Sequence, residues 1–283
     1  MNCTDCTREN IEVKFFKNGY PIMHCLDCDH LFTDYEPTNQ EVNKIYSDDY
    51  FFKGGAGYEN YLLEKDILIK RGEYYADKIS KYIIPGKVLD IGSAAGFILK
   101  GFENKGWKGT GVEPNKLMVD YGKLNLGLNL INGTIETVKI EDRFDLIILI
   151  QVVAHIYDLN ILINKISNYL KPDGLILIET WDKDSWTSKL FGKYWHEYSP
   201  PSTLNFYSKT TLNHFMNQQS FSLIDRGIPR KKILSQHAIS LINYKLKEIK
   251  GLSWLSVFLK IIPKNIMLPY PSEDLFWALY KKN

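Results

Sequence analysis

The stretch Val88-Leu89-Asp90-Ile91-Gly92-Ser93-Ala94-Ala95-Gly96-Phe97 decides the fold. Its first half is a short apolar run fit for a buried strand. Its second half is a turn of small residues. Apolar residues at helical spacing follow, up to Lys105. A strand, a glycine-containing turn and a helix in this order make the first crossover of a doubly wound sheet, whose ligands gather at the carboxyl ends of the strands. Small residues let a ligand approach the backbone closely.

Reading outward, Gly109-Thr110-Gly111-Val112-Glu113 ends a second strand and Asn115 to Asn125 reads as a helix. Leu128 to Ile131 and Phe144 to Ile150 are further strands, the latter apolar nearly throughout, as burial on both faces demands. A helix from Leu159 to Leu170 and a strand from Leu175 to Glu179 complete the alternation. Beyond Thr180, residues 181–208 read as a long ordered aromatic loop. Lys209 to Gln218 is a helix, Phe221 to Asp225 a strand, and Asp274 to Tyr280 a final strand. Upstream, residues 61–82 carry apolar positions at helical spacing. The expected divisions are 1–33, 34–84 (a helical cap), 85–228 (the sheet core), 229–269 (a basic helical insert) and 270–283 (the last core strand).

Glu113 falls about 20 residues after the turn, where an acid accepts hydrogen bonds from ribose hydroxyls. A dinucleotide site wants three glycines around a pyrophosphate. Here only Gly92 and Gly96 remain, and Asp90 would repel that anion. The same acid suits the ammonium of S-adenosylmethionine, which is therefore the expected cofactor.

Cys3, Cys6, Cys25 and Cys28 form two CxxC pairs separated by 18 residues, and no cysteine is left over. Such spacing reads as a tetrahedral all-thiolate zinc site, closed and hence structural. Ile11 to Phe16 with Asn18-Gly19 supplies the strand and turn of a ribbon. His24 and His30 flank the second pair.

These motifs resemble those of class I S-adenosylmethionine-dependent methyltransferases. More narrowly, the chain resembles bacterial members that carry an N-terminal zinc ribbon and belong to sugar and surface-polysaccharide pathways. The resemblance lies in residues 88–96, in Gly111-Val112-Glu113-Pro114, in Phe144-Asp145-Leu146-Ile147, in Leu170-Lys171-Pro172-Asp173-Gly174 and in residues 195–208. It implies a Rossmann-like α/β sheet of order 3-2-1-4-5-7-6 with the last strand antiparallel. It implies that Asp90, Gly92, Ala94 and Gly96 lie near the methionine moiety and that Glu113, followed by Pro114, binds the ribose. Asn132, Gly133 and Thr134 would lie by the adenine, and Gln151 would face the methionine end. Many relatives have glycine where Ala94 stands, and alanine fits there if φ stays negative. Many have Glu-His where Ala154-His155 stands, and Pro-x-His-Leu where Pro201-Ser202-Thr203-Leu204 stands.

Tyr50, Tyr58 and Trp181 are candidates to face the sulfonium. If the acceptor is a hydroxyl, a base is needed, and His155, His196 and Tyr198 are the candidates. The chain has 35 Lys plus Arg, 33 Asp plus Glu and a formal charge of +2, a balance that disfavours nucleic acid. No stretch of about 18 apolar residues is present. The polar N-terminus has no basic-then-apolar leader, so a cytoplasmic location is expected. The expected acceptor is a small molecule of nucleotide-sugar or saccharide type. The alternatives are an RNA methyltransferase gripping its substrate with the ribbon, and a non-catalytic scaffold. Residues 251–268 offer a rival contact, with a membrane surface, through basic residues flanking an aromatic amphipathic stretch.

Overall fold

The computed structural model describes residues 2–45, 47–52, 60–236, 238, 239, 242, 263, 266–270 and 272–283. Tyr58 and nearly all of 240–262 lie outside them, and with these the membrane contact expected for 251–268. In chain order the strands are β1 (Ile11–Lys17), β2 (Tyr20–Cys25), β3 (Leu31–Thr33), β4 (Lys87–Ile91), β5 (Lys108–Glu113), β6 (Leu130–Asn132) and β7 (Phe144–Ile150). They continue with β8 (Leu170–Trp181), β9 (Asn205–Phe206), β10 (Phe221–Gly227), β11 (Lys232–Leu234), β12 (Met267–Pro269) and β13 (Leu275–Lys282). The helices are α1 (Asn39–Ile45), α2 (Asp48–Phe52), α3 (Lys65–Ile79), α4 (Phe97–Asn104), α5 (Lys116–Leu126), α6 (Leu159–Ser167), α7 (Trp186–Phe191) and α8 (Lys209–Gln218).

The seven-stranded sheet runs β10-β13-β8-β7-β4-β5-β6. Renumbered within the core, this is the expected 3-2-1-4-5-7-6, and β13 pairs antiparallel with both β8 and β10. Successive side chains on a strand face opposite ways. Leu89, Ile147, Leu149, Ile176 and Ile178 accordingly pack on one face with α6 and α8. Val88, Leu146, Ile148 and Leu177 pack on the other with α3, α4 and α5. The α3–α4 crossing is backbone-tight: a Cβ on Gly72 would stand 2.1 Å from the Ile98 carbonyl oxygen, and one on Gly101 2.2 Å from that of Ile69.

Three segments differ from expectation. The helix expected to reach Leu170 ends at Ser167, and β8 runs unbroken from Leu170 through Lys171-Pro172-Asp173-Gly174. Asp173, at φ 62°, takes the bend there, so the stop signal is absorbed within the strand. The loop expected over 181–208 holds α7, a 3₁₀ turn and β9. β9 pairs with β3, so the ribbon sheet β1-β2-β3-β9 takes its fourth strand from the core, and the expected boundary at 33 is crossed by hydrogen bonds.

Candidate functional site

The turn between β4 and α4 is pinned to β5, because Gly92 N and Ser93 N both donate to the Val112 carbonyl, at 2.9 and 3.1 Å. Its φ angles alternate into the left-handed region at Gly92 (70°), Ala94 (47°) and Gly96 (77°). The negative φ on which the fit of an alanine was conditional is thus not met at Ala94. The conformation persists because Ala94 N donates to Glu113 Oε2 at 2.9 Å. Glu113 Oε1 accepts from Asn115 N at 2.8 Å. Burial pushes the Glu113 carboxyl up to about 7, against the pull of these two N–H groups.

Asp90 ends up beside Glu113 with only 3% of its surface exposed. Its Oδ2 and the Ser93 hydroxyl have no hydrogen-bond partner among the described residues. Burial, and then the Glu113 charge, drive the Asp90 carboxyl well above the usual carboxylate range. A buried acid with an unused acceptor, beside a second acid and a backbone turn, fits a ligand that brings N–H and O–H donors, and a cation better than an anion. These acceptors therefore match the aminoacyl and ribose parts of S-adenosylmethionine and not a pyrophosphate.

Asn132 Nδ2 donates to the Pro114 carbonyl at 2.8 Å, and Gly133 N to that of Glu113 at 3.0 Å. Thr134 follows, so Pro114, Asn132, Gly133 and Thr134 line the carboxyl ends of β5 and β6 together. Above them Asp48 Oδ1 accepts from Asn115 Nδ2 at 3.0 Å, which ties α2 to the start of α5. α2 carries Tyr50, packed edge-on against Phe51 at 5.2 Å.

Gln151 closes β7 at φ 59°. Its backbone N–H donates to the Glu179 carbonyl at 2.8 Å and its side-chain amide to Glu179 Oε1 at 3.1 Å. The side chain expected to face the methionine end is thus turned across to β8. Glu179, fully buried, also accepts from the Arg71 guanidinium and the Tyr75 hydroxyl of α3. The sequence reading misses this network. Its one signal is an arginine within the apolar face of a helix.

Of the expected bases, His155 donates through Nδ1–H to the Ser202 carbonyl, 2.6 Å away, and burial pulls its pKa down. Tyr198 packs edge-on against Phe15, Trp195 and Phe206, and burial lifts its hydroxyl to about 12. Such a phenol stays protonated at neutral pH, and its ring packs among these aromatic side chains.

His196 stands elsewhere, in a nest of charge and aromatic rings. Its Nε2 is 3.4 Å from Glu197 and its Nδ1 3.8 Å from Asp274. Its ring meets Trp181 edge-on at 4.7 Å. Lys231 lays its ammonium 5.0 Å from the Trp181 ring and 4.8 Å from the Tyr270 ring. Asp274 accepts from Trp195 Nε1 at 3.1 Å through Oδ2, while its buried Oδ1 has no partner among the described residues. Burial lifts Glu197 to about 8 and lowers Lys231 to about 8. The charge of Arg71 pushes Lys231 further down, and Glu179, Glu197 and Asp274 push it back. The sequence reading reaches His196 and Trp181 but not Glu197, Lys231, Tyr270 or Asp274.

At the ribbon, the four cysteine sulfurs all lie within 4.8 Å of one another, with Cys3–Cys28 and Cys6–Cys25 each at 3.6 Å. Four thiolates about 2.3 Å from one zinc stand roughly 3.8 Å apart, so the set fits that metal. His24 and His30 are turned to other partners. His24 meets Asp29 at 2.8 Å, and His30 meets Asn205 at 2.9 Å and Asp5 at 3.3 Å.

The doubly wound seven-stranded sheet thus carries an acid-flanked turn and a second acid at the end of the next strand. The chain belongs to the methyltransferase domain family, whose pattern spans residues 67–225. Among curated proteins it resembles the ubiquinone biosynthesis O-methyltransferase of Bartonella tribocorum, 28% identical over 151 residues, covering 49% of this chain and 61% of that one. The enzyme of the same name from Bradyrhizobium diazoefficiens is 29% identical over 107 residues, 36% and 42% of the two chains. The chain thus spans about three-fifths or less of these relatives. Among solved structures, YcgJ of Bacillus subtilis shares the fold at a TM-score of 0.52 and 16% identity, covering 76% of this chain and 99% of that one. PH0226 of Pyrococcus horikoshii does so at 0.51 and 16%, covering 86% and 99%.

Proposed function

We propose that this methyltransferase uses S-adenosylmethionine to methylate a hydroxyl of a small polar acceptor, of saccharide type, held in the His196–Glu197–Lys231–Asp274 nest. The nest carries the reading. The buried Asp274 carboxyl with its unused oxygen suits a sugar hydroxyl, and the Trp181 and Tyr270 rings suit its C–H face. The activity for which the curated relatives are named, O-methylation, supports an oxygen acceptor.

The cofactor, when bound, supplies an activated methyl group on a cationic sulfur. The chain's own residues do the rest. Asp90 and Ser93 accept hydrogen bonds at the turn, and Glu113 does so at the ribose edge. Tyr50 closes that edge from α2. Glu197 or His196 takes the acceptor's proton, and Asp274 and Lys231 balance the charge. A base whose pKa lies near neutrality is the most effective at this task. His155, held by the Ser202 carbonyl, orients the neighbouring wall. The ribbon zinc is structural, and the enzyme is cytoplasmic.

Calorimetry tests the cofactor reading. S-adenosylmethionine should bind at micromolar affinity, near about −8 kcal/mol, and NAD should not bind. Glu113→Ala removes a charge-assisted acceptor and orphans two backbone donors, so it should weaken binding by about 1.5–3 kcal/mol. NAD binding in place of S-adenosylmethionine would refute the assignment.

A further inference from the structure

α7 and the turn that follows present an apolar ridge to solvent. Trp186 is 68% exposed, Leu190 60%, Phe191 53% and Tyr194 67%. Exposure is unbroken from Lys189 to Tyr194. Trp186 and Leu190 are one helical turn apart and share a face. The ridge is edged with cations: Lys17 and Lys193 stand 5.9 and 5.4 Å from the Tyr194 ring, and Lys189, next to Leu190 in α7, is exposed. The acids nearby are engaged. Asp184 meets Lys183 at 3.3 Å, and Glu273 accepts from Trp186 N and Thr187 N at 2.7 and 3.1 Å.

The ridge is braced at its start and open at its end. Ser185 Oγ caps the helix at Ser188 N, 3.0 Å away. At Gly192, where a Cβ would stand, there is nothing within 4 Å. Four side chains about two-thirds exposed offer roughly 500 Å² of apolar surface. A stable protein interface needs about 800 Å² per partner and a matching shape. Trp and Tyr beside lysines whose stems lie along apolar surface are instead what a lipid headgroup boundary selects.

We propose that α7 and residues 192–194 dock the enzyme on an anionic lipid surface, with the aromatic side chains in the headgroup layer and Lys17, Lys189 and Lys193 on the lipid charges. Residues 195–197 follow the ridge directly, so docking would hold the nest close to the membrane plane.

The experiment is co-sedimentation of the full chain with phosphatidylcholine vesicles, alone or with one-third phosphatidylglycerol. Binding is expected to the anionic vesicles only, and to weaken with salt. Each lysine near such a surface changes partitioning about five-fold, so Lys189→Glu with Lys193→Glu should reduce it more than ten-fold. Leu190→Ser with Phe191→Ser should do the same, and both variants should melt as the wild type does. Should the paired apolar change unfold the chain, Trp186→Ser alone carries the test. Equal binding by wild type and variants would overturn the proposal, as would no binding to anionic vesicles. A wild-type dimer in light scattering that the apolar variant abolishes would overturn it too, and would make the ridge a contact between copies.

Discussion

At Ala94 two opposed costs meet. A left-handed φ costs an alanine about 1 kcal/mol, and glycine there gives back a similar amount as unfolded-chain entropy. Ala94→Gly should therefore leave the melting temperature within about 2 °C, since 1 kcal/mol corresponds to about 2–4 °C for a chain this size. Ala94→Val puts a branched side chain where φ is 47° and should cost about 2 kcal/mol or more. Thermal melts of both variants check this. A stabilised Ala94→Val would mean that the turn is not held as described. The turn and Glu113 were legible in the sequence, because their chemistry lies in local order and in one spacing. Ala94's conformation was not, because it depends on a hydrogen bond to Glu113. Nor were Glu179 and Lys231. Their partners lie far away in the chain, and no local pattern announces such pairings.

Among the elements, α3 and α4 illustrate packing that outweighs propensity. Alanine is better than glycine within a helix by about 1 kcal/mol. Yet Gly101→Ala would drive its Cβ to 2.2 Å from the Ile69 oxygen, so it should destabilise by about 1–3 kcal/mol as the helices part. A denaturant melt decides between these signs. The alternation of strands and helices was legible because the central strands β4, β7 and β8 carry apolar residues on both faces. The bounds of β8 and the contents of 181–208 were not, since the first depends on pairing with β7 and β13 and the second on β3.

The link between ribbon and core makes a further prediction at this scale. Thr33 donates to the carbonyls of Leu204 and Thr203, at 2.7 Å through N and 2.9 Å through Oγ1. Tyr207 donates to Asp5 at 2.9 Å, and Leu204 N donates to the Ala154 carbonyl at 2.7 Å. Stripping zinc with a chelator should therefore raise hydrogen exchange at residues 202–207 and at His155. Amides 90–113 should keep their protection. Metal analysis of protein purified without chelator should show about one zinc per chain. Exchange confined to residues 3–33 would show that the ribbon is energetically separate.

Over the whole molecule, the buried carboxyls give stability a pH dependence of definite sign. Glu113 and Glu197 sit at about 7 and about 8, above their ordinary 4.5. Between 4.5 and these values the folded chain holds protons that the unfolded chain has released, so stability falls as pH rises. The contribution is fully present below 4.5 and lost through 7 to 8. Lys231, lowered to about 8, acts only above that pH, where stability climbs again towards 10.5. Acid also protonates the ribbon thiolates, so the informative quantity is a difference. The melting temperature of wild type minus that of Glu197→Gln should be more negative at pH 8 than at pH 5. An unchanged difference would mean that Glu197 is already charged in the fold.

The strand that β9 lends to the ribbon has a temporal consequence. Phe32 pairs with Asn205, so β3 is made long before its neighbour. At about 5–20 residues per second a ribosome needs roughly 10–35 s to deliver it. Throughout that interval β3 is a bare edge, open to mispairing with other nascent chains. The four thiolates are all in place early, so a cell short of zinc would leave the newborn chain with its first structure unclamped and its edge uncovered. Metal supply during translation would then govern yield more than it governs the finished enzyme.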